Sequence, residues 1–290
     1  MKINNITVST ALNNAERILQ ETSVTTYKLD AKILLSHIIN LTNSGKLILK
    51  LNEKISSDDY LKYIHLIERR LKFEPIAYII GSKDFWKQKY TINNNVLIPR
   101  PETELIIELL LKKLKGKINS KLHILDLGTG SGCIILSLLS ELKFSTGIGI
   151  DISEKALNVA KLNAKKFNLN KRVNFRISDW FDNLENIDKF DIIISNPPYI
   201  PIDEWKNLDP NVLNFEPKGA LTDNRDGLEN YRIIANSAKK FLKKDGLIGL
   251  EMGFGQSKEI KEMFCAKGYE IEIFKDLQSI DRIVIIKYNL

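Results

Sequence analysis

A chain of 290 residues with 43% hydrophobic and 27% charged residues is long and apolar enough to bury one large core or two modest ones, which excludes a disordered polypeptide. No apolar stretch reaches membrane-spanning length and Met1-Lys2-Ile3-Asn4-Asn5 lacks the apolar segment of a signal peptide, so a cytoplasmic protein is expected. Cys133 and Cys265 are too few for a disulfide framework, and His37, His65 and His123 have no ligand spacing around them, so no metal is expected. The formal net charge is +7, and it is unevenly spread: residues 1–100 hold 15 Lys and Arg against 9 Asp and Glu, residues 101–290 hold 28 against 27. The basic N-terminal third suits an acidic partner, or equally a lysine-rich solvated surface.

From Ser9 to about Phe73 apolar residues recur at helical spacing: Leu12, Ala15 and Leu19, then Ala31, Leu34, Leu35 and Ile38, then Tyr60, Ile64, Ile67 and Leu71. A small helical domain over residues 1–75 is expected, its third helix opened by Ser57-Asp58-Asp59 and closed at Glu74-Pro75. Residues 76–100, with Tyr78-Ile79-Ile80, Gly81-Ser82, Phe85-Trp86 and Tyr90-Thr91-Ile92, read as a β-hairpin linker. Pro101 then fits a first helical turn, with Glu102 and Glu104 at its positive end.

Over residues 101–290 strands and helices alternate. Strands are expected at Leu122 to Leu127, Thr146 to Ile150, Val173 to Ile177, Phe190 to Ser195, Leu247 to Leu250, Ile271 to Phe274 and Arg282 to Lys287. Helices are expected at Cys133 to Leu142, Ser153 to Phe167, Leu228 to Leu242 and Gln256 to Lys267. Such alternation specifies an α/β fold, a doubly wound and mostly parallel sheet.

Two strand ends carry chemistry. The first strand runs through Gly128-Thr129-Gly130-Ser131-Gly132 straight into a helix, where glycines admit a close ligand and the helix start offers unpaired N–H groups. A nucleotide-like cofactor suits that loop. Its Gly-x-Gly-x-Gly spacing departs from the dinucleotide fingerprint, and no P-loop lysine follows. Asp151, at the end of the next strand, stands where an acidic side chain can accept both ribose hydroxyl protons, and Asp179-Trp180 sets a carboxylate and an aromatic face at a third strand end. Asn196-Pro197-Pro198-Tyr199 follows the apolar strand Phe190 to Ser195. Asn-Pro pairs commonly open turns, but here two prolines also stiffen a strand edge that presents an amide and a phenol, which suits methyl transfer to a planar nitrogen.

Together these motifs resemble the class I S-adenosylmethionine-dependent methyltransferases, with their Rossmann-like sheet. Leu97-Ile98-Pro99-Arg100-Pro101-Glu102-Thr103-Glu104, Phe85-Trp86, Glu216-Pro217 with Ala220-Leu221, Asp226-Gly227-Leu228 and Glu251-Met252-Gly253 with Gln256 are similar to the HemK/PrmC family. The resemblance implies methylation of the side-chain amide (N5) of the glutamine in the Gly-Gly-Gln motif of class I peptide chain release factors. It implies that Gly128 to Gly132 and Asp151 hold the methionine and ribose parts of S-adenosylmethionine, that Trp180, with Asp179 beside it, flanks the adenine, and that Asn196, Pro197, Pro198 and Tyr199 hold the glutamine, with Asn196 also near the reactive end of the cofactor. The partner is then a protein, met by a monomer whose N-terminal helices dock it. One departure is Thr222-Asp223-Asn224-Arg225, which stands where the family tends to have glycines. The same tetrapeptide also suits a ribosomal-protein glutamine methyltransferase or an adenine-N6 DNA or RNA methyltransferase, although no Lys/Arg stripe with interleaved aromatics marks a nucleic-acid track. A non-catalytic adaptor on the same fold is a further alternative.

Overall fold

The computed structural model describes residues 6–22, 24–185 and 188–288, so the N-terminal pentapeptide read above lies outside the described residues. The chain divides into two units, residues 1–81 with 209–215, and residues 82–208 with 216–290. In the first unit α1 spans Val8–Gln20, α2 Tyr27–Ile38 and α3 Ser57–Leu71. Two of the three helix starts are capped by a short polar side chain: Thr7 accepts from the Thr10 N–H at 3.1 Å and Ser56 from the Asp59 N–H at 3.0 Å. The buried residues of α1, Val8, Ala11, Leu12, Ala15 and Leu19, form one stripe, which packs with Leu34, Leu35, Tyr63 and Ile67.

Two expectations are corrected in this unit. Tyr78-Ile79-Ile80, read as part of a hairpin linker beginning at residue 76, forms a short helix, α4 (Ile76–Ile80), closed by Gly81 at φ 70°. A short apolar run has no periodicity that separates helix from strand, and here the left-handed glycine and the burial of Tyr78 and Ile79 favour the helix. The second correction is that residues 101–290 are not one uninterrupted body, since Asp209–Phe215, with its helical turn Pro210–Leu213, belongs to the helical unit.

A buried ion pair accounts for part of that grouping. Arg70 Nε donates to Asp30 Oδ2 at 2.7 Å with both residues less than 7% exposed, and Arg70 Nη1 donates to the Glu74 carbonyl at 3.1 Å and to Asn211 Oδ1 at 2.6 Å. Thr26 Oγ1 donates to the same carboxylate oxygen. Asp30→Ala leaves the guanidinium buried and uncompensated, so a loss of about 3–5 kcal/mol is expected in urea denaturation followed by circular dichroism. A loss under about 1 kcal/mol would show that solvent reaches Arg70.

The second unit opens with an antiparallel hairpin, β1 (Ser82–Phe85) and β2 (Gln88–Thr91). After a 3-10 turn at Pro101–Thr103 come α5 (Glu104–Lys113), β3 (His123–Leu127), α6 (Cys133–Glu141), β4 (Thr146–Asp151), α7 (Glu154–Lys166), β5 (Val173–Ile177) and β6 (Phe190–Ser195). They are followed by α8 (Glu229–Ser237), β7 (Leu242–Glu251), α9 (Ser257–Cys265), β8 (Tyr269–Lys275) and β9 (Asp281–Tyr288). The sheet order is β5-β4-β3-β6-β7-β9-β8, parallel except where β9 pairs with β7 and β8. The helix expected from Leu228 to Leu242 stops at Ser237, because Phe190 pairs with Leu242 and the ladder resumes past a bulge at Ile192 and Leu247. Tertiary pairing claims residues that local pattern assigns to the helix.

Register is what positions the functional edge. Leu127 lies opposite both Ile150 and Ser195, and Ser195 lies opposite Leu250. The residues that follow, Gly128, Asp151, Asn196 and Glu251, therefore leave four adjacent strands at one level. Chain order reverses at β3, so a crevice opens there between the loops after β3 and β4 on one side and the loop after β6 on the other.

Candidate active site

The glycine loop is shaped from below by two aspartates. Gly128, Gly130 and Gly132 all have positive φ, at 68°, 55° and 79°, a region that disfavours side chains. Gly130 donates its N–H to Asp151 Oδ2 at 2.9 Å, while Asp151 Oδ1 accepts from the Ser153 N–H at 2.9 Å. Asp151 thus ties the loop to the end of β4, and Ser153 caps α7 by accepting from Ala156. Burial raises the Asp151 carboxyl, against the lowering effect of the backbone N–H groups of Ser153, Gly130 and Ile152. Asp126 lies deeper, 1% exposed, accepting from Thr129 Oγ1 at 2.7 Å. Burial pushes its carboxyl up to about 7, opposed by that hydroxyl, and its Oδ1 is buried without a partner among the described residues.

Above the loop is a cavity of about 490 Å³. Of the residues singled out in the sequence, Gly128, Gly130, Asp151, Asp179, Trp180, Asn196 and Pro198 line it; Thr129, Ser131, Gly132, Pro197 and Tyr199 do not. Thr129 and Ser131 are buried under the loop, and Gly132 is the N-cap of α6. No atom stands within 4 Å of a Cβ built on Gly128 or Gly130, so at both positions bare backbone faces open space. This is the cradle a nucleoside-bearing cofactor requires, with the Asp151 carboxylate beside it. Trp180 adopts φ 44°, its carbonyl accepts from Ser178 Oγ at 2.8 Å, and its half-buried indole packs against the sheet core while lining the cavity.

The tetrapeptide is clamped by side-chain amides that sequence reasoning did not assign to it. Asn230 Nδ2 donates to the Pro198 carbonyl at 2.7 Å, and Gln256 Nε2 donates to the carbonyls of Tyr199 at 2.9 Å and Gly227 at 3.2 Å. Gln256 Oε1 in turn accepts from the Gly253 N–H. A Cβ on Gly227, at φ 80°, would collide with the Tyr199 carbonyl oxygen, which explains the glycine in Asp226-Gly227-Leu228. Asn196 Nδ2 donates to Thr103 Oγ1 at 3.3 Å, and the Tyr199 phenol donates to Glu251 Oε1 at 3.3 Å. Burial raises both the Tyr199 phenol and the Glu251 carboxyl; the Thr103 hydroxyl and the Arg282 charge pull the carboxyl back. Among the acceptors left open, Asn196 Oδ1, the Asn196 backbone carbonyl and the Pro197 carbonyl take no hydrogen bond from the described residues.

The outer motifs are held by carboxylates. Buried Glu216 accepts from Arg100 Nη2 at 2.5 Å and from the Ile98 N–H at 3.1 Å, joining Glu216-Pro217 to Ile98-Pro99-Arg100. Glu104 accepts from the Trp86 N–H at 2.7 Å. At the departure from glycine, Asn224 takes φ 59°, and Asp223 holds the turn by accepting from the N–H groups of Arg225, Gly227 and Glu229. An asparagine tolerates the left-handed region, so the loop needs no glycine there.

Comparisons with known proteins give the fold class and the family. A methyltransferase domain model matches residues 118–273, and a PrmC N-terminal domain model matches residues 10–81. A methyltransferase structure from Pyrococcus furiosus superposes with a TM-score of 0.52 at 18% identity, covering 77% of this chain and 98% of that one, a likeness of fold. Fold and domain match together define a class I methyltransferase domain. The bifunctional methyltransferase of Rickettsia typhi is 42% identical over 94% of this chain but only 56% of its own length, so the chain spans about half of that relative. The release factor glutamine methyltransferase of Agrobacterium fabrum is 37% identical over 96% of both chains. The chain belongs to the release factor glutamine methyltransferase family.

Asp126 makes a prediction about stability. A carboxyl raised from 3.8 to about 7 holds its proton more tightly in the folded protein, so its contribution favours folding at low pH and is lost as pH rises through that window. Asp126→Asn has nothing to titrate. Its melting temperature minus that of the parent should therefore rise between about pH 4 and about pH 7 in ligand-free protein and level off above that. A difference that stays constant with pH would show that Asp126 is not raised.

Proposed function

We propose that this chain transfers a methyl group from S-adenosylmethionine to the side-chain amide nitrogen of the glutamine in the Gly-Gly-Gln motif of class I peptide chain release factors. The observation that carries the reading is a pair of acceptors, Asn196 Oδ1 and the Pro197 carbonyl, that take no hydrogen bond from the described residues, while the Pro198 and Tyr199 carbonyls are engaged. Two acceptors match the two N–H bonds of a primary carboxamide. Family membership supplies the substrate.

Gly128, Gly130 and Asp151 would hold the cofactor, with Trp180 flanking its adenine and Asp179 beside it. S-adenosylmethionine supplies, when bound, an electrophilic methyl on a sulfonium. An amide nitrogen is a poor nucleophile because its lone pair is delocalised into the carbonyl, so the chain must position it. Asn196 and Pro197 accept both N–H bonds, fix the amide plane and turn the nitrogen's lone pair toward the methyl. Orientation of this kind can be worth about 7–11 kcal/mol, and no strong base need be invoked. Tyr199, packed beside Glu251, helps wall the site from water. The nitrogen's proton departs after methylation, when it has become acidic.

Two variants separate the roles. Asn196→Ala should lower methyl transfer on the order of 100-fold while leaving S-adenosylhomocysteine affinity nearly unchanged. Asp151→Ala should weaken that affinity by roughly tenfold or more, because both ribose contacts and the Gly130 tie are lost. Calorimetric titration, together with mass spectrometry of the glutamine in purified release factor, reads both. Near-normal turnover in Asn196→Ala would refute the acceptor role, and an unmethylated release factor with the parent protein would refute the substrate.

A further inference from the structure

An asparagine carboxamide presents two ends of nearly equal size, and only the oxygen end accepts hydrogen bonds. If Asn196 turned its NH2 group to the cavity, a substrate amide would meet a donor where it needs an acceptor. A group outside the tetrapeptide selects between the two. Asn196 Nδ2 donates to Thr103 Oγ1 at 3.3 Å, and Thr103 Oγ1 donates its single proton to Glu251 Oε2 at 2.5 Å. With that proton committed to the carboxylate, Thr103 offers Asn196 only lone pairs, and only the NH2 end can satisfy them.

The carboxylate is itself held. Glu251 is 1% exposed and Thr103 2%, so bulk water does not compete for the hydroxyl. The second oxygen of Glu251 accepts from the Tyr199 phenol, and its backbone carbonyl accepts from the Tyr231 phenol at 2.8 Å. Three elements contribute one group each: Thr103 ends the turn before α5, Glu251 ends β7, and Asn196 follows β6. A serine or threonine meets the need at 103 because one small group both donates and accepts; a lysine there would face Asn196 with a further donor.

We infer that Thr103, oriented by Glu251, is a positioning residue that sets which end of the Asn196 carboxamide faces the cavity. This rests on Asn196 being the acceptor for the substrate amide. Thr103→Val keeps the shape and removes the hydroxyl, freeing the carboxamide to flip. Its kcat on release factor should fall about tenfold or more, with KM and S-adenosylhomocysteine affinity changed less than about threefold. Thr103→Ser should restore turnover to within about threefold of the parent. Should Thr103→Val fail to fold, Glu251→Gln reads the same device, since its NH2 group can donate to Thr103 and reverse the direction of the chain of bonds; kcat should again fall with binding kept. Turnover in Thr103→Val, or in Glu251→Gln, equal to the parent, or equal losses in the Val and Ser variants, would overturn the inference. Asn196→Ala measured alongside keeps the two levels apart. If it is active, the acceptor reading fails and the inference with it; if it is inactive while Thr103→Val is not, only the inference fails.

Discussion

Parallel pairing of β3 with both its neighbours is the constraint on which the site depends. Once Leu127 sits opposite Ile150 and Ser195, the residues one step beyond must emerge together. A shift of one residue in either pairing would turn every side chain of the moved strand to the other face, so that Ile192 to Ile194, all buried, would each have to pack on the opposite side of the sheet. Hydrophobic burial therefore enforces, to within a residue, the alignment that chemistry uses. The strand ends are polar at that edge because the sheet no longer covers them.

The same edge shows how stability is given up locally. Asp126 is buried with an oxygen unpartnered among the described residues, Trp180 occupies the left-handed region despite its side chain, and Glu251 is a carboxyl group in the protein interior. Each is unfavourable by itself. They persist because neighbouring groups satisfy most of what they expose: Thr129 for Asp126, Ser178 for the Trp180 turn, Thr103 and Tyr199 for Glu251. The tetrapeptide follows the same logic, since Asn230 and Gln256 occupy the carbonyls that are not left open.

Much of this was legible in the chain. The glycine loop, Asp151, Trp180 and Asn196 each follow an apolar run, and that pattern alone places them at strand ends. Less legible were elements whose state depends on partners far away in sequence. Ile76 to Ile80 is too short for its period to distinguish helix from strand, and Leu242 is drawn out of a helical pattern by Phe190, fifty-two residues earlier. The seven residues from Asp209 carry no local sign of belonging with Arg70, because a single buried guanidinium holds Asn211.

The sequence by itself determined the alternation of strands and helices, the glycine loop, and the residue types at the strand-end edge, because periodicity, glycine and proline act through neighbours along the chain. Tertiary structure alone decided which of those residues face the cavity and which lie beneath it. Thr129, Ser131 and Gly132 share a motif with Gly130 yet support the loop from below, whereas Asn230 and Gln256 stand some thirty and sixty residues from the tetrapeptide whose carbonyls they hold. Hydrogen bonds have direction, and the direction in which Asn196 presents its oxygen depends on where the proton of Thr103 goes. That depends on a carboxylate at the end of another strand, a relation that exists only once the sheet has formed.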